Sequence, residues 1–229
     1  MPIERTRVAL AQVFYQRCFY LFVGVLTLLT AVLLLEPSPD GRLVVNAVNL
    51  LLDVSAVAAV GGTRLSFVIA LSLAIPAGWF HLRAFFGDDA SHWLAAWAFG
   101  AALYAVTIGY LLRYVFRRDV MTADKLYGAA AGYLMLGVMW AFLYGIADRL
   151  QPGSFAAGGV AASPDFPDLL YFSFTTLTST GFGDMVPLRR RVRALCVLEQ
   201  LTGALFLAIL IARLAGVYPP QQPRRRRGG

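Results

Sequence analysis

The sequence predicts an all-α membrane protein with six transmembrane helices and one short re-entrant helix between the fifth and sixth. Three observations carry this. Of the 229 residues, 59% are hydrophobic, too many for a soluble domain. Several apolar runs are long enough to cross a bilayer. Between the last two, a helix from about Pro167 to Thr178 is too short to cross and leads straight into a run bearing Gly181 and Gly183.

Met1 to Gln16 mixes Glu4, Arg5 and Arg7 with apolar positions and reads as an interfacial helix. The first span runs from about Cys18 to Leu35 and stops at Glu36, Pro37 and Pro39. No small-residue cleavage site follows a short apolar core, so this span is expected to be an anchor and not a removed leader. The second span, about Leu43 to Val60, carries Asn46, Asn49 and Asp53. Its leucines and valines supply about −3 to −6 kcal/mol of insertion energy against roughly +3 for a central Asp plus two amides, so unaided insertion is marginal. The spacing i, i+3, i+7 sets all three polar groups on one helical face, pointing into a bundle. Two readings stay open for them, satisfied packing groups or a sensor.

The third span, about Leu65 to Phe80, contains Pro76, which removes a backbone donor and is expected to kink it. The fourth, about Trp93 to Leu112, has Trp93 and Trp97 at one end and Arg113, Arg117 and Arg118 at the other, an aromatic belt and a basic flank. The fifth, about Leu126 to Ile146, includes G-A-A-A-G from Gly128 to Gly132, a ridge of small residues that lets another helix approach closely. A loop rich in Gly, Ala, Ser and Pro follows, Asp148 to Phe166. Pro167 and Asp168 then suit a helix start, proline in the first turn and an acid at the positive dipole end. The sixth span, about Ala194 to Ala212, precedes Arg213 and a tail with Arg224 to Arg227.

Six spans place both termini on one side. Assigning that side to the cytoplasm puts thirteen of the twenty basic residues inside, in the sense of the positive-inside rule. Arg42, Arg83, Arg149 and the group Arg189, Arg190, Arg191 and Arg193 stay outside. That outer group would repel cations if exposed; pairing with Asp165 and Asp168, or contact with lipid head groups, would relieve it. Nearly all the basic excess is arginine at span ends, which reads as orientation and not as nucleic-acid binding. Cys18 and Cys196 have no Cys-x-x-Cys or histidine partner nearby, so no disulfide or metal site is indicated.

The chemistry concentrates in Thr175 to Pro187, T-T-L-T-S-T-G-F-G-D-M-V-P. Glycine tolerates positive φ. Alternating it with ordinary residues lets successive carbonyls turn to one side, and a row of carbonyl oxygens can replace the water shell of a bare cation. The competing reading is a glycine-rich surface turn.

This run resembles the selectivity filter of the bacterial potassium channel family, T-V-G-Y-G. Ser179 stands at the threonine, Thr180 at the valine, Gly181 and Gly183 at the glycines, Phe182 at the tyrosine, and Asp184 at the aspartate that usually follows. Phe182 removes a hydroxyl from the filter wall, and Thr180 adds a polar group with no evident partner. The resemblance covers the segment from the fifth to the sixth span. It implies domains at 1–118 (four-helix membrane domain in the voltage-sensor position), 119–216 (pore domain) and 217–229 (short basic cytoplasmic tail). Tyr171 and Phe172 take the place of the pore-helix aromatic pair. Thr175 replaces an acid that bonds the filter aspartate in some members, so that bond is expected to be weak or absent. Gly203 matches the inner-helix hinge, with Ala204, Leu207 and Ile211 on the pore face.

Glu199 is an acid inside the last span and a functional hypothesis by default. It is expected to hydrogen-bond the Thr176 or Thr178 hydroxyl behind the filter, either as a static bond or in protonated form with proton-sensitive conductance. One filter strand makes one wall, so a fourfold ring requires a homotetramer in contact with membrane lipid. The resemblance implies K+ ions in the filter, no organic cofactor and no nucleic acid, in a multi-pass protein of the cell membrane.

No basic residue lies between Trp93 and Leu112, so weak or absent voltage dependence is expected. About sixteen residues follow Arg213, too few for a cytosolic ligand-binding domain, which leaves lipid, pH, tension or a partner as stimulus. The rivals are a nonselective cation channel, a non-conducting regulatory subunit and a transporter; a transporter would show paired broken helices in two related halves. An enzyme is not expected, since His81 and His92 fall in one external loop with no nucleophile or metal constellation.

Overall fold

The computed structural model describes residues 17–34, 39–60, 64–87, 90–117 and 122–215. The expected interfacial segment 1–16, the turn at Glu36 and Pro37, and the tail with Arg224–Arg227 lie outside the described residues.

Among the described residues seven helices and three short strands follow in order: α1 Arg17–Leu34, α2 Pro39–Val60, α3 Arg64–Phe86, α4 Ala90–Val115, α5 Ala123–Leu150, β1 Phe155–Ala157, β2 Val160–Ala162, α6 Phe166–Leu177, β3 Met185–Pro187 and α7 Arg190–Ala215. Five helices, α1, α3, α4, α5 and α7, are long and apolar enough to cross a membrane. In α2 the apolar part is the shorter Asn46–Val60. The expected second span therefore falls short on composition, because Asn46, Asn49 and Asp53 dilute it. Those three side chains do turn inward: Asn49 and Asp53 are buried, the Tyr104 hydroxyl donates to Asn49 Oδ1 at 3.3 Å, and Asn46 bonds His81. His81 thus sits in α3, and His92 in α4, rather than in one loop. An imidazole beside a half-buried amide is held by its helix, where the sequence pattern had suggested a connection.

α5 is the hub. It packs against α1 and α4 on one side and α6 and α7 on the other. Small residues make this possible. A Cβ on Gly128 would lie 3.1 Å from Cys18 Sγ, and one on Gly145 only 2.7 Å from the Trp97 ring. Both cysteines are free. At the N-terminal end of α5, Thr122 caps the helix by accepting from the Lys125 N–H, and Asp124 accepts from the Cys18 N–H at 3.1 Å and the Tyr114 hydroxyl at 3.0 Å. One carboxylate thereby fastens the start of α1 and the end of α4 to α5. α3 runs through Pro76 as a single helix.

The segment expected as a plain loop, Asp148 to Phe166, instead folds into part of a sheet. β1 pairs antiparallel with β2 in register Phe155 to Ala162, and with β3 in register Phe155 to Pro187, giving the order β2-β1-β3. Gly158 and Gly159 turn the hairpin with φ of 57° and 82°, the left-handed values glycine adopts freely. The strands are only three residues each, too short for a period-two pattern to stand out among Gly and Ala.

Because Trp97 is buried at the α4–α5 contact, Gly145→Ala is expected to destabilise the protein by about 1–3 kcal/mol through overpacking. Thermal unfolding in detergent checks this; an unchanged midpoint would mean the two helices can part without loss.

Candidate functional site

α6 is defined at both ends by its own side chains. Asp165 caps it in a reciprocal box: its Oδ1 accepts from the Asp168 N–H at 3.1 Å, while Asp168 Oδ2 accepts from the Asp165 N–H at 3.4 Å. Partial burial and the Asp165 carboxylate hold the Asp168 carboxyl above its usual range. Both acids serve the capping box, and among the described residues no ion pair joins them to the outer arginines, which leaves lipid head groups as the other alternative. Arg193 donates through Nε to the Pro187 carbonyl at 3.0 Å, while Arg189, Arg190 and Arg191 stand exposed.

The last turn of α6 leaves carbonyls with no helical donor, and the following run supplies donors. Ser179 N–H bonds Thr176 O at 2.9 Å, and the N–H groups of Thr180 and Gly181 converge on Thr175 O at 2.8 and 3.1 Å. The backbone reaches this geometry by alternation. Ser179, Gly181 and Gly183 have φ of 57°, 56° and 80°, while Thr180 and Phe182 between them do not adopt positive values. Such alternation directs successive N–H groups to one side and leaves the carbonyls to the other. Ser179 holds a left-handed conformation with a side chain present, which costs about 1–2 kcal/mol. Gly181 and Gly183 reach it without a Cβ.

Side chains fix the run from behind. Phe182 is 69% exposed and stacks parallel on Tyr171, with ring centroids 6.3 Å apart. The Tyr171 hydroxyl lies beside Asp184. The Thr175 hydroxyl turns back to Phe172 O at 2.9 Å and does not reach Asp184. Thr180, for which the sequence offered no partner, shares a 2.8 Å hydrogen bond with the Thr178 hydroxyl, which also donates to Phe174 O at 2.7 Å. Phe172 packs edge-on against Tyr144 and Phe155, joining α6 to α5 and β1. Beyond Asp184 the chain enters β3, and Gly158 N–H bonds Asp184 O at 3.4 Å. The exposed run 178–184 is therefore strung between a helix end and a sheet.

Glu199 corrects its expectation. It is fully buried, but its partners are neither Thr176 nor Thr178: the Tyr144 hydroxyl donates to Oε2 at 2.5 Å, and Ser173 Oγ stands 2.5 Å from Oε1. Ser173 Oγ also lies 2.7 Å from the Gly137 carbonyl. The sequence reading missed Ser173, Tyr144 and Gly137. Thr176 and Thr178 flank the glycine run and drew attention; Ser173 and Tyr144 are hydroxyls in apolar helices whose direction only the packing reveals.

Gly203 is buried against the end of α6, where a Cβ would come within 2.5 Å of the Leu177 carbonyl. Its missing side chain is required for close approach. Ala204, Leu207 and Ile211 are exposed on α7.

Residues 129–218 match the Ion_trans_2 family model, described as an ion channel. No curated protein matches the chain. The ion-channel match takes in most of α5, the sheet, α6, the alternating run and all of α7, which is fewer than half of the chain's residues. It supports an ion-channel family and a transport role for a membrane protein. Among the described residues no group of His, Cys, Asp and Glu is arranged to hold a metal ion.

Gly203→Ala is expected to destabilise the protein by about 1–3 kcal/mol, since the obstructing atom is backbone. Gly132→Ala, whose Cβ would meet Phe206 at an ordinary 3.6 Å, should stay within about 0.5 kcal/mol of the parent. Denaturation of both variants in detergent checks the contrast.

Proposed function

We propose that the chain is one subunit of a potassium-selective channel that conducts passively through a carbonyl filter at Ser179, Thr180, Gly181, Phe182 and Gly183. The observation that carries this reading is the alternation of left-handed φ at 179, 181 and 183 with the N–H groups of 179–181 turned back onto α6. Carbonyls freed on the opposite face are the groups that substitute for a cation's hydration shell. The negative end of the α6 dipole points along the same run and favours a cation there. The ion-channel match over residues 129–218 supports the same reading.

Four copies are needed to close the ring, and α7 supports this. In the isolated chain only 11% of its apolar window is buried, against 67% for α5, and Val197, Leu198, Leu201, Leu205, Leu207, Ile209 and Ile211 are exposed. A helix so bare is covered by other copies and by lipid, with Ala204, Leu207 and Ile211 facing the conduction path. Both termini are assigned to the cytoplasm.

The test is the reversal potential across a bilayer holding purified protein, with potassium on one side and sodium on the other. A value near the potassium equilibrium, with current reduced at least about tenfold by Gly181→Val, is expected, because a β-branched residue is strained at positive φ. Reversal near zero would replace this reading with a nonselective pore, and no current with a non-conducting subunit. Since α4 carries Arg113 only in its last turn, conductance should vary weakly with voltage in the same recordings. A steep conductance–voltage relation would overturn that.

A further inference from the structure

Three helices meet at one buried carboxyl, and the hydrogens there can be counted. Four polar groups form a chain, the Tyr144 hydroxyl, the Glu199 carboxyl, the Ser173 hydroxyl and the Gly137 carbonyl, joined in that order at 2.5, 2.5 and 2.7 Å, with the Cys196 thiol also beside the Tyr144 hydroxyl. Tyr144 and Ser173 each own one O–H; a carbonyl can only accept. If Glu199 were ionised, two donors would face three acceptor positions. The Ser173 proton would go either to Glu199 or to Gly137, and the other contact would hold two lone pairs against each other within hydrogen-bond distance. One further proton resolves this: Tyr144 O–H donates to Glu199 Oε2, Glu199 Oε1–H donates to Ser173 Oγ, and Ser173 O–H donates to Gly137 O.

The surroundings fit a neutral acid. Glu199 is fully buried, and the titratable groups that face it are Tyr144 and Tyr133 of α5 and Cys196 of its own helix; α6 contributes the Ser173 hydroxyl. None of these is basic. The contact is also sterically committed: a Cβ on Gly137 would lie 2.6 Å from the Phe174 ring, so α5 and α6 touch at this point.

We infer that Glu199 is a positioning residue that carries a proton, and that this proton latches α6 to α5 through Ser173. The inference rests on the channel reading, because α6 is the element whose last carbonyls hold the filter run. Removing the proton leaves a carboxylate, a stronger acceptor than the Gly137 carbonyl, which draws the Ser173 hydroxyl to itself, and α6 loses its only side-chain hydrogen bond to α5 among those described. The filter run, hung from Thr175 and Thr176 two and three residues further on, loses that support. Conduction therefore falls as pH rises through the Glu199 transition.

Two measurements test this. Infrared difference spectra of the reconstituted protein between neutral and alkaline buffer should show loss of a protonated carboxyl stretch, absent in Glu199→Gln and shifted in Ser173→Ala. This readout does not need current. In bilayers, each protein's current at alkaline pH is divided by its own current at neutral pH. The wild type should fall by about tenfold, the effect of one buried hydrogen bond, while Glu199→Gln, whose amide both donates and accepts, should hold a ratio near one. Absence of the carboxyl band, or an equal alkaline fall in Glu199→Gln, would overturn the inference. A protein that shows the band but passes no current at any pH would retain the proton and sink the channel reading, and with it the conductive consequence.

Discussion

A helix ends with carbonyls that have lost their donors, and the end of α6 is no exception. The next three residues answer that need. Their N–H groups fold back onto Thr175 and Thr176 as the backbone takes left-handed φ at 179 and 181, and Gly183 repeats that value. Glycine at two of the three positions removes the steric cost, and Ser179 accepts it. The exposed carbonyl face proposed as a filter is thus the reverse side of a capping arrangement. Without the cap there is no reason for the carbonyls to align.

The rest of the C-terminal half holds that helix end still. Asp165 and Asp168 fix the start of α6, Phe172 wedges it between α5 and β1, and Leu177 sits directly on Gly203 of α7. The sheet performs the matching task beyond Asp184, tying β3 to β1 so that both ends of the run are anchored. α5 carries these loads to the N-terminal helices through Gly145 and Asp124. The Tyr144–Glu199–Ser173 chain lies where α5, α6 and α7 converge, and a change there reaches all three.

The N-terminal helices follow a different economy. Several of their polar groups are internal, with Asn49, Asp53 and Tyr104 buried together and His81 beside Asn46, and α4 presents no ladder of charge. This arrangement ties α2 to α3 and α4 through buried and half-buried polar pairs. It also explains why α2 reads poorly as a span: the groups that lower its hydropathy are those that bind it to α3 and α4.

Sequence alone determined the helical class, the apolar segments, the start of α6 at its Pro167–Asp168 signal and the glycine alternation, because each rests on local chemistry with a fixed period or spacing. It also set the inward face of α2, since three polar residues at i, i+3 and i+7 must share a side. What it could not set were relations between segments distant in the chain. Glu199 was legible as a buried acid, but whether it meets Thr176, Thr178 or Ser173 depends on the rotation of α7 against α6, which Gly203 and Leu177 decide by contact. The Thr178–Thr180 hydroxyl pair appears only once the backbone reverses handedness between them. The sheet was hidden because three-residue strands gain their stability from pairing across some thirty residues rather than from their own composition. Tertiary structure decided the partners; the sequence had decided only which residues would need one.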